Sequence, residues 1–285
     1  RQAANAAERI ANALKPAFYI HGHELHINVS IGIALYPQDG GDLETLLKHA
    51  DSALYRVKEQ GRDHYQFYNA TLSSDASERL TLSNHLYHAL DRQEFVLHYQ
   101  PQVDVATGEI TQLEALLRWQ HSYLGLISPQ TFIPIAEDNG LIVPIGEWVL
   151  QAVCDQIGIW ADLGLPSMPV AINLSARQFQ APSLNEAIAS TLRKTGIDPQ
   201  LLEIEVTETA AMEDMEFTCQ TLNDLRQMGV RIAMDDFGTG YSSLNHLRRF
   251  PLHTLKIDRS FVKDIAHSAS DEAIISAIVT LGKGL

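Results

Sequence analysis

The chain has 285 residues, 45% of them hydrophobic and 20% charged, enough apolar material to bury a sizeable core as one large domain or two smaller ones. Its 35 acidic against 21 basic residues leave a formal net charge of -14, which disfavours a sequence-independent grip on duplex DNA or RNA and demands local cations or metal for any anionic ligand. Cys154 and Cys219 are too few for a disulfide framework, and no run approaches the roughly 20 apolar residues that span a bilayer. A cytoplasmic, reducing setting is therefore expected, with any membrane anchor outside this chain.

In chain order, the Ala-rich residues 1–14 predict a helix closed by Pro16. Leu25, Ile27, Val29, Ile31, Ile33 and Leu35 alternate with other residues and predict a strand, with a turn over 37–41. Leu43, Leu46, Leu47, Ala50, Ala53, Leu54 and Val57 recur at helical spacing up to a stop at Gly61, and a short strand follows over 64–68. Small and polar residues over 69–77 mark a boundary. Beyond it, strands are predicted at 95–100, 110–117, 170–174, 202–206, 231–234 and 255–257, mostly alternating with helical stretches. That is the rhythm of βα units around a parallel sheet or barrel.

In such a fold chemistry collects at the carboxyl ends of strands, where Glu114, Asn173, Glu205, Asp235, Asp236 and Lys256 fall. The first five offer only oxygen, and hard oxygen donors select Mg²⁺ or Mn²⁺. Adjacent carboxylates at Asp235 and Asp236 repel and raise one another's pKa, which two cations bridged by one Asp would relieve. Two ions about 3.5 to 4 Å apart suit phosphodiester hydrolysis, with Lys256 orienting the water or stabilising charge. Any one of these residues alone is more often a solvated rim residue or a cap partner; the shared face of the set is what points to a site. Asp236-Phe237-Gly238 invites a protein-kinase reading, but no glycine-rich nucleotide loop and no His-Arg-Asp loop accompany it.

At these residues the chain resembles the EAL family of cyclic-di-GMP phosphodiesterases. Five motifs carry the resemblance in order: Glu-Ala-Leu-Leu-Arg-Trp at 114–119, Asn-Leu-Ser at 173–175, Glu-Val-Thr-Glu at 205–208, Asp-Asp-Phe-Gly-Thr-Gly-Tyr-Ser-Ser-Leu at 235–244 and Leu-Lys-Ile-Asp at 255–258. It implies an α/β, TIM-like (β/α) barrel with a reversed first strand at 95–101, linearising cyclic-di-GMP to pGpG with two Mg²⁺ or Mn²⁺ ions. By motif, Glu114, Asn173, Glu205 and Asp235 would ligate metal, with Asp235 and Asp236 facing the second ion. Lys256 would assist the attacking water, and Glu208 would fix the loop at 236–244. Arg118 would grip a substrate phosphate, its planar fork suiting bidentate contact, and Gln100 and Asp258 join it as implied substrate-binding residues.

Residues 1 to about 70 resemble the last part of a GGDEF diguanylate cyclase domain, through Ser-Ile-Gly-Ile-Ala at 30–34, Ala-Asp-Ser-Ala-Leu-Tyr at 50–55 and Lys-Glu-Gln-Gly-Arg at 58–62. Lys58 and Arg62 match positions that touch nucleotide phosphate in that family. The expected layout is a small α+β GGDEF remnant at 1–70, a linker at 71–80, and an EAL domain at 81–285 truncated before its last two βα units. Two readings compete with the hydrolase: a catalytically inactive cyclic-di-GMP receptor, and an interaction scaffold paired as a homodimer through the EAL domain. The full acidic set with Lys256 favours the hydrolase, since a pure receptor has no need of it.

Overall fold

The computed structural model describes residues 2–14, 18–20, 23–25, 29–59, 64–68, 79–239, 247–263, 265 and 268–284. They form two compact units, Arg1–Asn84 and His85–Leu285.

In the first unit, a helix over Gln2–Leu14 precedes an antiparallel pair, β1 (Phe18–Ile20) and β2 (His23–Leu25), and a parallel pair, β3 (Ile31–Ile33) and β4 (Tyr65–Phe67). Parallel pairing needs a crossover, which the helix Leu43–Glu59 supplies. It lies so close to β3 that a Cβ on Gly32 would stand 2.0 Å from the Ala50 carbonyl. The strand expected over 25–35 is thus shorter than the alternation suggests. Leu25 belongs to β2, and beyond Ile33 the chain is drawn into a turn by Asp39, whose carboxylate accepts from the Leu35 N–H at 2.7 Å. Residues 26–28, Gly61, Arg62 and 71–78 lie outside the described residues. Of the expected linker only Leu80 and Arg79 are described, and both are already helical.

The second unit holds β5 (Phe95–Val103), β6 (Ile110–His121), β7 (Gly125–Ile127), β8 (Val170–Leu174), β9 (Leu202–Thr207), β10 (Arg231–Phe237) and β11 (Thr254–Ile257). The strand order is β11-β10-β9-β8-β6-β5, with β7 hairpinned onto β6. From β6 onward the path is parallel, while β5 runs antiparallel to β6. This is the reversed first strand of the expected barrel. The six expected strands are present; β6 runs on to His121 because its last turn of register pairs with β7, a three-residue strand too short to carry a periodic signal.

Strand period 2 divides the faces. Leu202, Ile204 and Val206 of β9 join the apolar core with Val170, Ile172 and Leu174 of β8 and Ile232 and Met234 of β10. Val153, Ile157, Ile188, Leu222 and Leu225 complete that layer from the helices Ile142–Asp162, Leu184–Thr195 and Met215–Gln227. Each such side chain contributes about 1.5–3 kcal/mol on burial. The opposite face is polar: Glu203 and Glu205 on β9, Asn173 on β8, Arg231 and Asp235 on β10. Helices begin immediately beyond two of these strands. Ser175 and Gln178 form a reciprocal capping box after β8, and the Thr207 hydroxyl accepts from the Ala210 N–H after β9. Cys154 and Cys219 are free and buried, and among the described residues no helix is long and apolar enough to cross a membrane.

Candidate active site

Four strands bring charged groups to one point. The Lys256 ammonium on β11 lies 2.5 Å from Glu205 Oε2 on β9, 3.1 Å from Glu114 Oε2 on β6 and 3.5 Å from Asp235 Oδ2 on β10. Asn173 on β8 donates from Nδ2 to Glu114 Oε1 at 2.8 Å. Register explains the meeting: Asn173 stands opposite Glu205, and Glu114 opposite Ala171, on the same face of β8 as Asn173.

Glu205 is 1% exposed, and burial pushes its carboxyl up to about 7, against the pull of the Lys256 hydrogen bond. Burial alone would lower the Lys256 pKa, but the Glu205 hydrogen bond and the charges of Glu205, Asp235 and Glu114 together outweigh it and raise the ammonium above its ordinary value. Glu205 Oε1 is buried with no hydrogen-bond partner. Three carboxylates thus share one cation, and one of their oxygens still lacks a positive or donating neighbour.

Asp236 is exposed, with a left-handed φ of 53°, and its N–H donates to Asp235 Oδ1 at 2.9 Å. Burial, then the charges of Asp235 and Asp258, raise its carboxyl, and Asp258 shares a hydrogen bond with it. Asp258 itself is held low by the Ser260 hydroxyl and N–H. Glu208, buried at the start of the helix Glu208–Met212, accepts from the Gly238 N–H at 2.8 Å and so pins the first residue of the loop after β10; loop residues 240–246 lie outside the described set. Arg118, half-buried and on the same face of β6 as Glu114, donates to the Leu117 carbonyl at 2.8 Å. Gln100 is exposed on β5 and pairs in register with Glu114. Arg118 thus shares the strand face of Glu114 and Gln100 its register, while the ion pairs of Lys256 are with Glu114, Glu205 and Asp235. Among the described residues no three His, Cys, Asp or Glu side chains present a ready-made metal-holding group; the carboxylates close on Lys256 instead.

A second polar layer, absent from the sequence reading, lies beneath. Glu203 is fully buried; its Oε1 accepts from Gln112 Nε2 at 2.6 Å, and its Oε2 from Arg231 Nε at 3.1 Å and Thr254 Oγ1 at 3.2 Å. The signal was available: in Leu202-Glu203-Ile204-Glu205-Val206 the two carboxylates fall on the same side of the strand.

Comparison with known proteins gives a consistent picture. Residues 83–285 match the EAL domain family, and residues 1–64 match the diguanylate cyclase, GGDEF domain family. The chain is 46% identical over 283 residues to the bifunctional diguanylate cyclase/cyclic di-GMP phosphodiesterase MucR of Pseudomonas aeruginosa, covering 99% of this chain and 41% of that protein. It is 38% identical over 279 residues to the cyclic di-GMP phosphodiesterase PdeR of Escherichia coli, covering 98% of this chain and 42% of that one. It thus spans less than half the length of these relatives. Among solved structures, the MucR phosphodiesterase in complex with c-di-GMP superimposes with a TM-score of 0.69 at 48% identity, over 72% of this chain and 83% of that one.

Proposed function

Because the chain belongs to the EAL domain family, we propose that its second unit hydrolyses cyclic-di-GMP to linear pGpG with the help of two Mg²⁺ or Mn²⁺ ions. The observation that carries this reading is the convergence of Glu114, Glu205 and Asp235, from three separate strands, on one ammonium. The donor set fits a hard divalent cation: every candidate ligand is an oxygen, and the buried Glu205 Oε1 lacks a partner.

In this reading Glu114, Asn173, Glu205 and Asp235 would hold metal, with Asp235 and Asp236 serving the second ion. When bound, the ions lower the pKa of water and brace the phosphate oxygens. Lys256 keeps its proton, since the surrounding carboxylates raise its pKa, and its Nζ–H orients the attacking water. Arg118, facing the same way as Glu114, takes a phosphate oxygen pair with its planar fork, which a chain of net charge -14 needs locally. Gln100 and Asp258 line the substrate's approach, and Glu208 holds the loop start through Gly238. We place the protein in the cytoplasm, where both buried thiols stay reduced.

The test is chromatography of cyclic-di-GMP incubated with the full-length protein and Mn²⁺. Accumulation of pGpG supports the reading. Tight nucleotide binding with no product on any timescale overturns it and favours the receptor.

A further inference from the structure

Glu203 is a fully buried carboxylate that no step above uses. Burying a charge is costly unless it is paired and hydrogen-bonded, and here both oxygens are engaged, by groups from three other strands: Gln112 on β6, Arg231 on β10 and Thr254 on β11. Each partner stands on the same strand face as a member of the Lys256 cluster. Gln112 is two positions before Glu114, Thr254 two before Lys256, Arg231 four before Asp235, and Glu203 itself two before Glu205. Between β6 and β9 lies β8, and its residue opposite Glu203 is Ala171, small enough for Gln112 to reach across.

We propose that Glu203 is a positioning residue: it ties β6, β9, β10 and β11 together one layer below the site and so sets where Glu114, Glu205, Asp235 and Lys256 stand. This rests on the reading of that site as a metal-dependent phosphodiesterase. The tie works by reach and hydrogen bonding. Glu203→Gln can preserve it, because its single carbonyl accepts from Arg231 and Thr254 while a rotated Gln112 amide accepts from the new NH₂. Arg231 tolerates the lost charge because its side chain is 36% exposed. Glu203→Ala removes the tie and leaves three polar groups without their partner.

The experiment compares the full-length wild type, Glu203→Gln, Glu203→Ala and Gln112→Leu, which cuts only the β6 arm and serves if Glu203→Ala does not fold. Mn²⁺ affinity is read by calorimetry on metal-free protein, and kcat and KM for cyclic-di-GMP are read per folded molecule. Expected are a roughly tenfold or greater loss of Mn²⁺ affinity and of kcat in Glu203→Ala, a smaller loss of the same kind in Gln112→Leu, KM within about twofold, and recovery in Glu203→Gln. A merely structural residue would change the folded fraction and leave these constants alone. Unaltered Mn²⁺ affinity and kcat in the folded Glu203→Ala or Gln112→Leu protein overturn the inference. A wild type that binds Mn²⁺ but makes no pGpG sinks the hydrolase reading instead, and the Mn²⁺ titration then decides the role of Glu203.

Discussion

At Glu205, burial and ion pairing pull in opposite directions. Burial, which disfavours the charge, pushes its carboxyl up to about 7, while Lys256 favours the charged form. A divalent ion binds only the ionised form, so a proton competes for the same oxygens. Mn²⁺ affinity should therefore rise with pH and level off above about 7, by at most about tenfold per pH unit below that point. Calorimetric titrations at a series of pH values check this, and Glu205→Gln should weaken binding and flatten the profile. Glu114 accepts from both Asn173 and Lys256, so Glu114→Ala removes one proposed metal ligand and one of the ammonium's three counter-charges. Its expected consequence is a loss of hydrolysis of at least about 100-fold. Unchanged turnover in that variant would count against the whole site. These residues were legible in the sequence because five motifs name them. Glu203 was not, because its role depends on partners far away in the chain, at Gln112, Arg231 and Thr254.

Among the elements, the junction of β10 with its loop is the most constrained. Gly238 has a φ of 101°, which an L side chain rarely adopts, and a Cβ there would lie 2.9 Å from the Phe261 ring. Its N–H is also the group that Glu208 holds. Gly238→Ala should cost about 1–3 kcal/mol by denaturant titration and release Glu208 from the loop, lowering cyclic-di-GMP hydrolysis more than Mn²⁺ binding. Equal loss of both would show that the loop and the carboxylate cluster are not separable. Element positions were readable where alternation is sustained, as on β9. Reading failed where local hydrogen bonds override the pattern. Asp39 ends the run expected to reach Leu35, and β7 exists only because β6 offers it an edge.

For the molecule as a whole, the net charge of -14 repels polyanions, so under the proposed function recognition of a cyclic dinucleotide would fall to a few local cations. Duplex DNA should bind more weakly than about 100 µM even at low salt, which fluorescence anisotropy tests; salt-sensitive binding in the micromolar range would contradict it. The sequence by itself determined the alternation of strands and helices, the oxygen-rich candidate residues and the family, since these follow from residue type and local period. Only the tertiary structure decided that Lys256 stands among Glu114, Glu205 and Asp235, that Asp236 shares a hydrogen bond with Asp258, and that a second charged layer underlies the first. The physical reason is register. A one-residue slip between parallel strands sends every side chain to the opposite face, and register is set by pairing between segments distant in the chain, which no local pattern records.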